Sequence, residues 1–123
     1  MDDNQRGDED AQLQAQMQRA EEGDIEACVA SGDLLYWGAR GFQRDHVRAR
    51  RFFKVAADAD HAHARCLYAS MLLRGEGGDT DHGEAVRQYE IAASAGSAKA
   101  LNGLGYEYFY GNHLQKNSTK AYG

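Results

Sequence analysis

The stretch that decides the fold is Ala98–Ala121, AKALNGLGYEYFYGNHLQKNSTKA. In its first half an apolar residue recurs at every fourth position, at Ala100, Leu104 and Tyr108. This spacing lines one face of a helix. Gly111 follows, and glycine readily takes the left-handed conformation that ends many helices. A polar loop then reaches Asn117, a residue type favoured at a helix N-cap. The stretch therefore predicts a helix, a turn and the start of a second helix.

The same unit occurs elsewhere in the chain with a period of 36 or 37 residues. Glycines, alanines and capping residues recur in register: Gly38, Gly75 and Gly111; Ala27, Ala64 and Ala100; Asp45, Asp81 and Asn117. A fixed period of this length is typical of stacked supersecondary units. Gly32, Ala69 and Gly105 share one column, which predicts close helix packing there. The fold class predicted is all-α, with antiparallel helix pairs stacked as a right-handed α-solenoid.

The repeat register divides the chain into segments. Residues 1–10 are expected to be a disordered or appended tail. Residues 11–22 are predicted to be a lone second helix, followed by one repeat over 24–59, another over 61–95 and an incomplete third over 97–123. Because the third unit lacks most of its second helix, we expect an uncovered apolar face and self-association through it.

Composition excludes several classes of protein. The net charge is −5, 27% of residues are charged, and no apolar run approaches the length of a membrane span. The acidic N terminus does not resemble a signal peptide. Cys28 and Cys66 are 38 residues apart in helical surroundings, so both are predicted to be buried free thiols.

A basic stretch, residues 40–54, holds six arginines and lysines against one aspartate. Such a stretch can follow a phosphate backbone, or it can be a solvated helix face. The acidic overall balance favours the solvated face, and no nucleic-acid partner is predicted.

No catalytic, metal or cofactor site is predicted. His61, His63 and Cys66 would converge poorly on a metal, because residues two apart on a helix point to different faces. The stretch DTDHGE (residues 79–84) lacks a calcium loop's arrangement, and the repeat register explains Asp81 and Glu84 as a capping pair. With no nucleophile–base pairing outside the repeat pattern, the chain is predicted not to be an enzyme.

The recurring pattern A-x3-L-G-x2-Y-x2-G, followed by a loop to Asp or Asn and then A-x3-aromatic-x2-A-A, resembles the Sel-one-like repeat family. The columns are filled best in the last unit, by Ala100, Leu104, Gly105, Tyr108, Gly111 and Ala121. The second unit departs from them with Tyr68, Ala69 and Leu72. The resemblance covers about residues 11–121 and implies a scaffold that binds proteins.

A finer resemblance rests on YWGARGFQRDHVRARRFFKVAAD (residues 36–58) and on the KNSTKA segment. These are similar to the branch of the family that serves as the lumenal adaptor of an endoplasmic-reticulum ubiquitin ligase. The similarity implies recruitment of misfolded clients or lectin partners in the endoplasmic-reticulum lumen. The alternative is a Sel-one-like scaffold of another pathway, bacterial or protist, in the cytoplasm or secreted.

Candidate contact residues follow from the register. In helix-pair solenoids the first helices line the concave side. The columns outside the core there are Asp33, Ser70 and Tyr106, and Trp37, Arg74 and Tyr110. These side chains are predicted to bind a protein partner, with ordinary packing between repeats as the alternative for the aromatic ones. Asn117-Ser118-Thr119 is a glycosylation sequon, and the lumenal resemblance implies that Asn117 carries a glycan. No membrane contact by this segment is predicted.

Overall fold

A computed structural model describes residues 3–110, and describes side chains for residues 7–105. Within this range the chain forms six helices and no strand: α1 (Asp3–Glu21), α2 (Ile25–Trp37), α3 (His46–Asp58), α4 (Ala62–Arg74), α5 (His82–Ser94) and α6 (Ala98–Tyr110). Each helix packs on the next one along the chain, and α4 also contacts α6. The predicted all-α stack of helix pairs, α2 with α3 and α4 with α5, is confirmed.

The second helix of each pair begins at the predicted capping residue. The side chain of Asp45 accepts a hydrogen bond from the Arg48 amide at 3.1 Å, and Asp81 accepts one from the Glu84 amide at 3.0 Å. Each bond satisfies an amide that the first turn of a helix leaves without an intrahelical partner. The third predicted cap, Asn117, lies outside the described residues.

The first helices also begin at caps that recur with the repeat, which the sequence pattern did not reveal. The capping residues are Asp24, His61 and Ser97, which accept from the amides of Ala27, Ala64 and Ala100 at 2.9, 3.1 and 3.1 Å. Three chemically different acceptors therefore perform the same task at one position of the unit. Because the three residue types differ, this column could not be recognised in the sequence.

Backbone turns recur in the same way. Gly38 and Gly75 end the first helices with φ of 70° and 69°, as predicted, while Gly111 is not among the described residues. At the turn that precedes each first helix, the left-handed position holds Gly23, Asp60 and Gly96, with φ of 94°, 66° and 95°. Asp60 is the exception to glycine in this column, and its carboxylate bonds to Arg65 at 2.8 Å.

The core lies between the helices of each pair and between neighbouring pairs. The second helices bury corresponding residues, namely Ala49, Phe53 and Ala56 on α3 and Ala85, Tyr89 and Ala92 on α5. A Cβ atom on Gly32 would lie 2.6 Å from the Phe53 ring, so the predicted close packing is present there. At Gly105, in the same column, no described atom lies within 4 Å. Close approach to the Tyr89 ring occurs instead at Gly103, whose Cβ would lie 2.7 Å away.

The N-terminal helix differs from the prediction. It begins at Asp3 rather than at residue 11, so residues 3–10, expected to be a disordered tail, are helical. Alanine and glutamine, which favour helices, supply eight of the nineteen residues of α1. The Glu9 carboxylate also lies 3.5 Å from the Arg40 guanidinium of the first turn, which adds a contact outside the helix. Among the described helices, none is both long enough and apolar enough to span a bilayer.

Candidate protein-binding groove

A groove of about 340 Å³ runs across the first helices α2, α4 and α6. Four of the predicted contact residues have described side chains, and all four line this groove: Asp33, Trp37, Ser70 and Arg74. The side chains of the other two, Tyr106 and Tyr110, lie outside the described residues. The structure thus brings together, from two repeats, the side chains that the register placed on one face.

The floor of the groove is apolar and belongs to the core. Phe53 and Tyr89 reach it from the second helices, and Leu67 and Met71 reach it from α4. Phe53, Met71 and Tyr89 are buried, and Leu67 is half-buried. Because core packing holds these side chains in place, the floor is largely preformed, as in many ligand-binding sites.

An exposed tryptophan stands at one end of the groove. The Trp37 side chain is 67% exposed, and its ring meets the Tyr36 ring edge-on with the centroids 4.8 Å apart. The Tyr36 ring also stacks on His46 at 4.6 Å, and its hydroxyl donates to a Glu76 carboxylate oxygen at 2.7 Å. Burial, followed by the contact with Glu76, raises the pKa of Tyr36. Tyr36 is therefore a fixed support for Trp37, and the register did not single it out.

Charged side chains surround the apolar floor. The Asp33 carboxyl is half-buried, and this burial raises its pKa, while the neighbouring His63 and Lys99 side chains act in the opposite direction. Arg74 and Lys99 are exposed. Lys99 was missed at the sequence level, although it lies 36 residues after His63 and so occupies the same column. The groove therefore offers two exposed cations and one partly buried carboxyl around an apolar floor.

The residues considered for metal binding are placed apart. His61 uses Nδ1 to cap α4, and His63 is exposed. The Cys66 thiol is buried 3.6 Å from the Ser97 hydroxyl, and Cys28 is also buried and free, as predicted for both cysteines. Across residues 7–105, no three potential ligands converge on a point where a metal ion could sit.

The DTDHGE segment behaves as a helix start. Asp81 caps α5, but Glu84 does not complete the capping box, because its carboxylate accepts from Arg87 at 2.6 Å and from Gln88 at 2.7 Å. The contact with Arg87, followed by that with Gln88, holds the pKa of Glu84 below its usual value. Glu84 therefore stabilises α5 through side-chain bonds rather than through the expected backbone bond.

The basic stretch is engaged within the chain. Arg48 and Arg51 bond to Glu21 at 2.8 and 2.9 Å, and Lys54 bonds to Asp58 at 3.0 Å. Arg50 donates to the carbonyl oxygens of Glu76 and Asp79 at 3.3 and 2.8 Å. These contacts fit a solvated helix face that also joins neighbouring units, and they reduce the charge available to a phosphate backbone.

A buried polar network at the junction of α3, α4 and α5 was not foreseen. Arg65, 7% exposed, donates to the Ala57 carbonyl and to the Gln88 side chain, both at 2.7 Å. Gln88 is itself 1% exposed. A buried guanidinium needs several acceptors, and this one has three, with Asp60 the third. The signal in the sequence was a charged residue in a column that otherwise holds Cys28 and Leu101.

Stacked helix pairs with a partly preformed groove across the first helices define the class: an all-α solenoid scaffold of the kind that mediates protein–protein interactions. The family model described as Sel1 repeat matches residues 25–61, 62–97 and 98–123, and the chain belongs to this family. The resemblance seen in the sequence is thereby confirmed. The family is one of non-catalytic scaffolds.

Curated relatives include two plant proteins and one from the rat. The chain is 34% identical over 72 residues to the ERAD-associated E3 ubiquitin-protein ligase component HRD3A of Arabidopsis thaliana, covering 58% of this chain and 11% of that protein. It is 31% identical over 117 residues to component HRD3B of the same plant, covering 94% and 18%. It is 35% identical over 79 residues to Protein sel-1 homolog 2 of Rattus norvegicus, covering 64% and 12%. The chain thus spans less than a fifth of the length of each of these relatives.

Solved structures of bacterial proteins share the fold. A Sel1 repeat protein from Oxalobacter formigenes superposes with a TM-score of 0.65 and 29% identity, covering 69% of this chain and 63% of that one. The protective antigen c5321 of uropathogenic Escherichia coli, which displays an SLR fold, gives a TM-score of 0.72 and 30% identity, covering 81% and 21%. Both neighbours are consistent with a stack of Sel1-type helix pairs.

Proposed function

We propose that this chain is a segment of an adaptor in endoplasmic-reticulum-associated degradation, and that it recruits misfolded clients or lectin partners to a ubiquitin ligase. The similarity to HRD3B along 94% of the chain supports this role. In the proposal the segment performs no chemistry, lies in the lumen and carries a glycan on Asn117.

The single observation that carries the binding role is the groove. Asp33, Trp37, Ser70 and Arg74 come from two different repeats and line one cavity with an apolar floor. Tryptophan and arginine are over-represented among the residues that dominate interface energies. An apolar floor with polar groups at its edge provides both burial and orientation for a partner segment. Tyr106 and Tyr110 extend this surface along α6 in the proposal.

The alternative is a Sel1 repeat scaffold of another pathway, cytoplasmic or secreted. The structural neighbours from Oxalobacter formigenes and Escherichia coli favour it, since both come from bacteria. The two proposals share the groove and differ in the compartment and in the proteins that reach it.

Site-specific crosslinking tests both. A photoreactive amino acid is placed at Ser70, on the groove, in the gene product expressed in its own cells, and adducts are identified by mass spectrometry. A matched variant carries the group at Ser94, an exposed residue that does not line the groove. We expect adducts at Ser70, and few at Ser94, with lumenal misfolded proteins or lectins. Adducts with cytosolic or extracellular proteins would favour the alternative, and equal yields at the two positions would contradict the binding role.

Self-association through the last unit is a second part of the proposal. Leu101 on α6 is 58% exposed, beside the buried residues Ala100 and Leu104. The proposed occupant of this face is a second copy of the chain, because an exposed leucine next to a core favours burial. Light scattering of the parent and of Leu101→Glu tests it. Concentration-dependent dimers in the parent that the variant lacks are expected, and a parent monomeric at high concentration would refute this part.

A further inference from the structure

The charges around the groove are unevenly distributed. Arg74 on α4 and Lys99 on α6 are exposed cations, whereas Asp33 on α2 is a half-buried carboxyl. Lys99 acts electrostatically on Asp33, so positive charge already lies near that carboxylate. The cations can therefore meet a ligand from solvent more readily than the carboxylate can. An acidic ligand is better matched to this edge than a basic one.

Apolar contact area is available next to these cations. Trp37 is about two thirds exposed at the same groove, and the Tyr36 ring contacts it edge-on. Leu67 and Met71 lie in the floor between Trp37 on α2 and Lys99 on α6. A large apolar side chain of a ligand would cover Trp37 and the floor together, which removes apolar surface from water. A purely charged ligand would leave this area uncovered.

We propose that the groove takes an extended protein segment in which an acidic side chain stands next to a large apolar one. The apolar side chain packs on Trp37 and the floor, and acidic side chains on either side of it pair with Arg74 and with Lys99. The proposal rests on the binding role of the groove and names the chemistry of its partner. Arginine binds a carboxylate through two parallel hydrogen bonds, which gives orientation as well as affinity.

Trp37 provides a direct reporter for the test, because it is the chain's single tryptophan. Its fluorescence is titrated with three synthetic peptides of one length that share a central Leu-Phe pair. The residues flanking the pair are glutamate in the first peptide, glutamine in the second and lysine in the third. We expect the glutamate peptide to bind about tenfold more tightly than the lysine peptide, the effect of one favourable charged pair. The glutamine peptide should be intermediate, and the preference should weaken as salt is added.

Variants separate the roles of the charges. Arg74→Gln and Lys99→Gln should each reduce the preference for glutamate over lysine by roughly threefold, as expected for a charge at the edge of an interface. Asp33→Asn should increase affinity for the glutamate peptide, because it removes the nearby negative charge. Arg87→Gln is the matched control, since Arg87 is an exposed arginine on α5 that does not line the groove. It should leave all three affinities unchanged.

The outcomes distinguish this inference from the function on which it rests. Equal binding of the three peptides, or preference for lysine, would overturn the proposed acidic partner while leaving the groove a binding surface. Failure of every peptide to change Trp37 fluorescence would also overturn it. That failure together with equal crosslinking at Ser70 and Ser94 would remove the binding role itself. Far-ultraviolet circular dichroism of each variant confirms that the helices are intact.

Discussion

The two complete helix pairs fill the same interior position with different chemistry. In the first pair, the Cys28 thiol donates to the Ala20 carbonyl at 3.3 Å, and Phe52 is buried in α3. In the second pair the corresponding residues are Arg65, which donates to the Ala57 carbonyl at 2.7 Å, and Gln88. The interval between donor and acceptor is eight residues in both. The repeat therefore fixes the backbone and the position of this carbonyl, which also accepts from a turn amide in both pairs, whereas the side chain that reaches it is free to change.

This difference has an energetic consequence. A buried thiol contributes packing and one weak hydrogen bond. A buried guanidinium requires all its partners, because an unpaired charge in the interior is costly. The first pair should therefore tolerate substitution at this position better than the second. Exchanging residues between the two pairs tests how far they are equivalent.

The largest effect is expected from Gln88→Leu. The change removes the side-chain oxygen that accepts from Arg65 and leaves the buried guanidinium short of a partner. We expect a loss of about 3 kcal/mol in the free energy of unfolding, the range for breaking a buried charged contact. Urea denaturation followed by circular dichroism measures it. A loss below about 1 kcal/mol, the size of an ordinary neutral hydrogen bond, would show that water replaces the missing acceptor.

The double variant Arg65→Cys/Gln88→Phe sharpens the comparison by placing the first pair's residues in the second. It should recover most of the stability lost in Gln88→Leu, because well-packed apolar replacements of buried charges are often neutral or stabilising. If the double variant were less stable than Gln88→Leu, the two pairs would not be interchangeable at this position.

A second exchange concerns the column that holds Gly32 in the first pair and Ala69 in the second. Gly32→Ala would place a Cβ within 3 Å of Phe53 ring atoms. Overpacking should outweigh the gain in helix propensity, and we expect a net loss of about 1–2 kcal/mol in thermal or urea unfolding. Gly83→Ala is the control, since the nearest atom to its Cβ would be 3.8 Å away in the exposed first turn of α5. Gly83→Ala should be neutral or slightly stabilising, so equal losses in the two variants would contradict steric conflict as the cause.

A third exchange concerns the cap of the first helices, where the second pair has His61. His61→Ala removes the acceptor for the Ala64 amide and should cost about 1 kcal/mol. His61→Ser installs the cap that Ser97 provides for α6, and it should restore most of that loss. Urea denaturation of the three proteins measures both effects. If serine failed to rescue, the contribution of His61 would come from the imidazole ring rather than from its capping bond.

The smallest effects are expected from two carboxyl groups with pKa shifts of opposite sign. The pKa of Glu84 is lowered in the folded chain, so its stabilisation is present above the unfolded pKa and is lost as pH falls through the folded value. The pKa of Asp33 is raised by burial, so its charge costs stability above the folded pKa, and this cost disappears as pH falls. Glu84→Gln should therefore destabilise, and Asp33→Asn should stabilise slightly, at neutral pH.

Urea midpoints measured from neutral to acidic pH check this pair of predictions. As the pH falls, the destabilisation caused by Glu84→Gln and the stabilisation caused by Asp33→Asn should both become smaller. Differences that do not change with pH would show that the two substitutions act through packing rather than through charge. Asp33 also lies in the groove, so its substitution links a small gain in stability to the predicted gain in affinity for an acidic segment.

The sequence predicted the elements whose residue type recurs. Alanine and aromatic columns, terminal glycines and the caps Asp45 and Asp81 were identified because one residue type, or two similar ones, repeats at a fixed interval. Asp33, Trp37, Ser70 and Arg74 were placed on one face from the same register. Positions where the type changes were missed, because a column such as Asp24, His61 and Ser97 shares only the ability to accept a hydrogen bond.

Tertiary contacts between units also escaped prediction. The partners of Arg65 and Tyr36 lie 23 and 40 residues away, and neither separation matches the period. A repeat register identifies which residues are equivalent, but it does not state which residues of neighbouring units touch. The support of Trp37 by Tyr36 was therefore visible only in three dimensions.

The hydrogen bonds between the first helix pair and the turn that follows α4 also affect the shape of the groove. Arg50 donates hydrogen bonds to the carbonyl oxygens of Glu76 and Asp79, and Tyr36 donates one to the Glu76 carboxylate. These bonds connect the end of α2 with the end of α4. The same ends carry Trp37 and Arg74. These hydrogen bonds, together with the hydrophobic core, therefore help to set the distance between the Trp37 and Arg74 side chains at the groove.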